Sequence, residues 1–219
     1  MPNTLKTFLT IVIATAGSAG AFVLYAALIH ALVHGISIPT GTAALIGAIL
    51  GFLYGLEAGI LRIYDLDSFA GWVWLTIDFS WSYLNTIYGL VLGNLFYPFF
   101  GSLSREQSEG QGWIVYAHDG SIAQTLGTVN LGGAGKHERV HLLQARAFGP
   151  LFLPFGLACY AGTFLIQSMF TLTVGMALWL ARARQSPYFR PPDHSAVHGF
   201  FGWIYYATPF ELWAYATER

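Results

Sequence analysis

Residues 136 to 150 read KHERVHLLQARAFGP, and within them His137-Glu138-Arg139-Val140-His141 matches H-E-x-x-H. On a helix, residues four apart share a face, so His137 and His141 can aim both imidazoles at one metal ion. Glu138, next to the first histidine, can turn toward a metal-bound water and act as general base. Zinc suits that chemistry, since it lowers the pKa of a bound water to about 7. The string fixes only three positions, but with 7 histidines in 219 residues an accidental match is uncommon. The bland alternative is a helix whose His and Glu merely face solvent.

Other ionisable residues compete for attention. Six of the 7 histidines fall into pairs four residues apart, His30/His34, His137/His141 and His194/His198. Random placement gives roughly 0.2 such pairs, so the excess is real. Repeated histidine boxes are similar to those of membrane di-iron hydroxylases and desaturases, although no adjacent His-His occurs here. The simpler reading leaves the outer two pairs without metal. Glu57 and Asp78 lie in apolar surroundings, where an ionisable residue is costly and faces the protein interior with a partner. Asp78 stands in TIDFSWSYLNT among Ser80, Ser82 and Asn85, which fits either a proton or substrate path or a hydrogen-bonded cluster that fixes helix packing.

The elements that must position these residues belong to a membrane protein. The chain is 55% hydrophobic and only 10% charged, with a mean hydropathy of +0.53, whereas a soluble domain carries about a quarter charged residues. The net charge of −1 offers no basic field for nucleic acid. The single cysteine, Cys159, excludes an internal disulfide. Apolar runs at Phe8 to Val33, Gly41 to Tyr64 and Trp72 to Phe100 are each long enough for a bilayer core, which takes about 20 residues. A fourth run, Leu151 to Leu180, contains Pro154 and Gly156 near its start. The first run is too long for a signal peptide and reads as an anchor. Trp72, Trp74, Tyr97 and Phe99 read as interface anchors.

The expected fold is therefore mainly α, a polytopic membrane protein of three to four transmembrane helices with a small β-hairpin beside the H-E-x-x-H helix. Residues 1–103 would hold the first three membrane helices, and 104–150 a polar island with the hairpin and the motif helix. Residues 151–184 would hold the fourth apolar helix, in one version re-entrant, and 185–219 a loop and an interfacial C-terminal helix rich in Trp and Tyr. Within the island, two β-rich stretches flank Asp119-Gly120, a dipeptide that favours a type I′ turn. Gly132, Gly133 and Gly135 end the second stretch, and a helix runs from near Lys136 to Gly149-Pro150. Lys6 and Arg62 flank the first two helices on one side, which the positive-inside rule makes cytoplasmic, with the polar island then outside.

His137-Glu138-x-x-His141-x-x-Gln144, followed by Phe148-Gly149-Pro150-Leu151, resembles a group of small bacterial integral-membrane zinc metallopeptidases. More loosely it is similar to gluzincin-type peptidases, in which H-E-x-x-H is completed by a Glu on a later helix, commonly as E-x-x-A. Glu211-Leu212-Trp213-Ala214 fits that context, although Tyr215 stands where the stricter pattern has Asp. The resemblance implies zinc held by His137, His141 and Glu211 with Glu138 as base. It also implies an extended peptide substrate paired with the strand Thr128 to Leu131. If Leu151 to Leu180 crosses the bilayer once, Glu211 falls on the side away from His137. The two then meet only if that run is broken around Pro154 and Gly156, or if the site lies within membrane depth. His118 is the reserve third ligand. Tyr205, Tyr206 and His198 are oxyanion donors by type only.

Three functions follow as expectations. The first is a membrane-embedded zinc metallopeptidase of the bacterial cytoplasmic membrane, acting on a peptide or protein substrate. The second is a non-catalytic accessory or scaffold subunit of a larger membrane complex. The third is a membrane di-metal oxidase that uses all three histidine pairs. The lipid bilayer is a partner in each, and nucleic acid in none.

Overall fold

A computed structural model describes residues 1–33, 35–119, 123–132, 135–180 and 199–217. The chain divides into two compact units, Met1–Pro150 and Leu151–Arg219. His34, Gly120, Gly133, His194 and His198, all used in the sequence reading, lie outside the described residues.

The first unit opens with α1 (Asn3–Leu32) and α2 (Thr40–Leu61), two apolar helices long enough to cross a membrane. A third such stretch lies within Lys136–Gly175. The α1–α2 pair is antiparallel and held by backbone proximity. Gly47, Gly51, Gly55 and Gly59 recur every fourth residue along α2, facing Ser18, Ala14, Ile11 and Thr7 of α1. A Cβ on Gly51 would lie 2.4 Å from the Ala14 carbonyl oxygen. Small residues at this spacing let apolar helices approach until dispersion contacts, rather than hydrophobic burial, hold them. Thr7 Oγ1 adds a hydrogen bond to the Gly59 carbonyl at 2.8 Å. The N-terminal amine and Lys6 both pair with Asp67, which agrees with one charged end for the pair.

The expected third membrane helix, Trp72 to Phe100, is not a single helix. It consists of α3 (Phe69–Asp78), α4 (Tyr83–Tyr88), a π turn over Gly89–Gly93, the one-turn α5 (Asn94–Phe96) and a 3-10 turn at Tyr97–Phe99. The break falls at the polar residues. Ser82 Oγ and Asn85 Nδ2 donate to the Ala145 carbonyl at 3.1 and 3.0 Å, Asn85 Nδ2 to Gly149 at 2.7 Å, and Trp81 Nε1 to Ala147 at 3.1 Å. These carbonyls lie in the last turn and cap of the motif helix, where the intrahelical ladder runs out; Ala145 also accepts from the Gly149 N–H. Residues that looked like a span thus cap another element. Tyr97, expected at the lipid interface, is buried, and Trp74 lies under the Arg146 guanidinium at 4.7 Å.

The polar island folds as a four-stranded mixed sheet rather than a lone hairpin. After β1 (Ser102–Ser104) and the short α6 (Arg105–Ser108) come β2 (Ile114–Ala117), β3 (Gln124–Leu126) and β4 (Val129–Leu131), in spatial order β1-β2-β4-β3. β1 and β2 are antiparallel (Leu103↔Tyr116), β2 and β4 parallel (Val115↔Asn130), and β3 and β4 antiparallel (Thr125↔Asn130). The strands on either side of Asp119-Gly120, β2 and β3, therefore do not pair with each other, and β2 pairs in parallel with β4 instead. The tight hairpin is β3–β4, turning at Gly127-Thr128, where Gly127 has φ +54° and a Cβ would meet the Asn85 carbonyl oxygen at 1.9 Å. One apolar core, including Ala14, Tyr54, Leu75, Phe79, Ile114 and Val129, runs through α1, α2, α3 and the sheet.

α7 (Lys136–Phe148) carries H-E-x-x-H where expected. Glu138 in its first turn and Arg146 in its last complement the helix dipole. Gly149, at φ +54°, ends it before Pro150. Leu142 packs α7 onto the sheet against Trp113 and Val115.

The second unit is built around α8 (Phe152–Phe170), which continues through a π turn at Thr171–Gly175 into α9 (Met176–Leu180). Pro154 falls in the first turn of α8, where a missing N–H costs nothing, so the helix is not broken there. α10 (Gly199–Ala207) and α11 (Pro209–Ala216) pack on α8. The Phe210 and Phe152 rings lie 5.3 Å apart, which brings α11 back to the N-terminal end of α8.

Candidate metal centre

The two motif histidines meet as their spacing requires. His137 Nε2 and His141 Nε2 are 3.1 Å apart, with ring centroids at 4.8 Å. Two imidazole nitrogens each ~2.0–2.1 Å from one tetrahedral zinc lie ~3.3 Å apart, so the pair has the spacing of two ligands to a single ion. Gln144, buried one turn beyond, accepts a hydrogen bond from His141 Nδ1–H through Oε1 at 2.9 Å. An amide oxygen can only accept, so Nδ1 carries the proton and Nε2 keeps its lone pair for a metal. Gln144 stood in the quoted motif pattern, but its role needed the geometry. It is the buttress a metal-binding histidine requires.

Glu138 is buried and oriented by the sheet. Thr125 Oγ1 donates to Glu138 Oε2 at 2.6 Å, and Asn130 Nδ2 donates to Thr125 Oγ1 at 3.1 Å. The carboxylate is thus tied to β3 through a short side chain. Threonine and asparagine in strands carry no distinctive signal, and sequence reading passed them over.

The far end of α7 is locked to the break after α3. Arg146 Nε and Nη2 donate to the two Asp78 carboxylate oxygens at 2.8 and 2.6 Å, and Nη2 also reaches the Gly112 carbonyl at 2.7 Å. Tyr64 donates its hydroxyl to Asp78 Oδ2 at 2.8 Å. Asp78 is therefore a packing anchor for the motif helix. Glu57 has a partner as well, accepting from Asn94 Nδ2 at 2.5 Å, and Asn94 Oδ1 in turn accepts from the Tyr116 hydroxyl at 3.0 Å.

Within the second unit, Glu211 is buried on α11 and accepts a hydrogen bond from the Tyr160 hydroxyl at 2.8 Å. Tyr160 lies about two turns from the start of α8, so Glu211 packs beside the N-terminal half of that helix. Tyr205 also faces Glu211; burial first, then that carboxylate, pushes the Tyr205 phenol well above its usual range. Tyr205 is thus a neighbour of the proposed ligand, whereas His198 lies outside the described residues.

His137 and His141 could share one metal ion within the first unit, whereas Glu211 belongs to the second unit and is the third ligand that the motif resemblance implies. Two imidazoles and a carboxylate suit several divalent metals, so the set does not name the ion. His118, the reserve ligand, lines an apolar cavity in the first unit instead. His30, at the end of α1, donates Nδ1–H to the Ile36 carbonyl at 2.8 Å. Compared with known proteins, the chain matches no protein-family model, no curated protein and no solved structure.

Proposed function

We propose that this protein is a membrane-embedded zinc metallopeptidase in which His137, His141 and Glu211 bind the metal and Glu138 is the general base. The bacterial cytoplasmic membrane is where the motif resemblance puts it, and three helices long and apolar enough to cross a membrane fit that setting. One observation carries the reading: two Nε2 atoms 3.1 Å apart, one of them set in its metal-binding tautomer by Gln144.

Bound zinc would supply Lewis acidity, polarising a peptide carbonyl and acidifying a water. The chain's own residues supply the rest. Glu138, fixed by Thr125, accepts a proton from the attacking water and returns it to the leaving amine. Asp78 and Arg146 keep α7 from shifting its register against the sheet, which preserves the contact between Glu138 and Thr125 of β3.

The test is metal analysis of the purified protein together with hydrolysis of a casein-derived peptide mixture by wild type and Glu138→Gln. The reading expects about one zinc per chain in both, with hydrolysis only in wild type. Zinc retained with equal, background hydrolysis in both would make the chain a non-catalytic subunit. No bound metal would remove the peptidase altogether.

A further inference from the structure

The strand expected to receive a peptide, β4, lies inside the sheet with β2 on one side and β3 on the other, so it has no free edge. β3, unlike β4, is one of the two terminal strands, and among the described residues no strand pairs with its outer side. In a two-residue hairpin the pair flanking the turn, here Leu126 and Val129, is hydrogen-bonded. The next residue, Thr125, therefore turns its N–H and C=O outward. The same Thr125 holds Glu138 through its side chain.

Side chains alternate across a strand. Thr125 faces α7, and its neighbours Gln124 and Leu126 face the other way, into a cavity of about 390 Å³. Leu131 continues the sheet wall, Leu92 and Tyr97 form the opposite wall, and His118 lines the cavity beside Gln124. Tyr97 closes one side by donating its hydroxyl to the Gln124 carbonyl at 3.3 Å. A peptide laid along β3 would send alternate side chains toward Glu138 and into this cavity.

We propose that the cavity is a specificity pocket for a large apolar side chain of an extended peptide paired with the outer edge of β3. The assignment of that peptide as a substrate rests on the peptidase reading; the binding itself does not. An acyl chain would fill an apolar cavity equally well, but it makes no use of a strand edge with outward N–H and C=O groups. That difference favours a peptide.

The experiment uses full-length Glu138→Gln protein in detergent with zinc and two fluorescein-labelled octapeptides of Thr and Ser, one with a central Phe and one with Ala there. Fluorescence anisotropy should show the Phe peptide binding about tenfold to a hundredfold tighter, the range set by burying one aromatic side chain. Leu126→Trp, which fills the cavity from the sheet, should remove the preference, and Leu92→Trp should do so from the opposite wall. Unchanged zinc content in either variant shows that the fold survives. Equal binding of the two peptides overturns the proposal. So does a fluorescent palmitate analogue that binds, is expelled by Leu126→Trp and is not displaced by the Phe peptide. Wild-type cleavage of both peptides is scored separately. A Phe preference without cleavage keeps the pocket and removes the peptidase, whereas cleavage indifferent to the side chain does the reverse.

Discussion

Gln144 Oε1 lies 2.9 Å from His141 Nδ1, and that one contact decides which nitrogen of the histidine is available to a metal. Gln144 has no exposure, so its amide has no water to turn toward and the tautomer is held. Outer partners of this kind change metal affinity by about 10- to 100-fold when removed. Gln144→Ala should therefore weaken zinc binding by about that factor in competition with a chelating dye. Gln144→Glu, which keeps an acceptor at the same reach, should stay within a few-fold of wild type. Equal affinity in all three proteins would show that the contact does not orient His141.

The Asp78–Arg146 pair makes a different prediction, because both groups are almost fully buried. Removing one partner leaves a charge without its counterion and costs about 3–5 kcal/mol, whereas replacing both with apolar residues is far milder. Asp78→Asn and Arg146→Met should each lower the denaturation midpoint in mixed micelles strongly. The double variant Asp78→Leu/Arg146→Met should lose less than the sum of the two. Additive losses would mean the two side chains stabilise the fold independently.

Sequence reading located α7 and its length because each signal there is local: histidines four apart, an acidic first turn, a basic last turn, and Gly149-Pro150 at the end. The same reasoning missed the sheet order. Its strands are only three or four residues long, and the β2–β4 pairing is parallel, joining residues 15 apart such as Val115 and Asn130. Asp119-Gly120 suggested a turn between neighbours that do not pair, while Gly127-Thr128 made the real one. The region from Trp72 to Phe100 looked like a membrane span because hydropathy averages over Asp78, Ser82 and Asn85. Their partners, Arg146, Ala145 and Gly149, lie about 60 residues away, beyond any window or period. Glu211 was singled out only through its E-x-x-A context, and its contact with Tyr160 on α8 has no sequence signature.

The glycine row on α2 gives a graded test of helix contact. A Cβ on Gly51 would press on the Ala14 carbonyl and Ser18, with no flexible atom to yield, whereas Gly20 and Gly41 have nothing within 4 Å. Gly51→Val should destabilise the protein by about 1–3 kcal/mol or more, the cost of overpacking a close contact. Gly20→Ala should be neutral or stabilising by up to ~1 kcal/mol, since alanine favours helix. Both are read from the denaturation midpoint in the same micelles. A neutral Gly51→Val would mean that α1 and α2 do not rely on that approach.

Metal removal tests the third ligand. A ligand that binds only the folded state stabilises it by RT ln(1 + [L]/Kd), about 2.7 kcal/mol at a hundredfold excess over Kd. Chelator should therefore lower the thermal midpoint of the wild-type protein, and added zinc should restore it. His141→Ala should abolish the zinc-dependent shift, because one imidazole remains where two converged. Glu211→Gln is the informative variant: an amide fills the same space but binds zinc poorly, so a true ligand loses most of the shift. Tyr160 and Tyr205 can still bond the amide oxygen, so the helices around α8 should hold together and the metal-free midpoint should stay close to wild type. A full zinc shift in Glu211→Gln would release Glu211 from the site and leave His137 and His141 to recruit a third donor elsewhere.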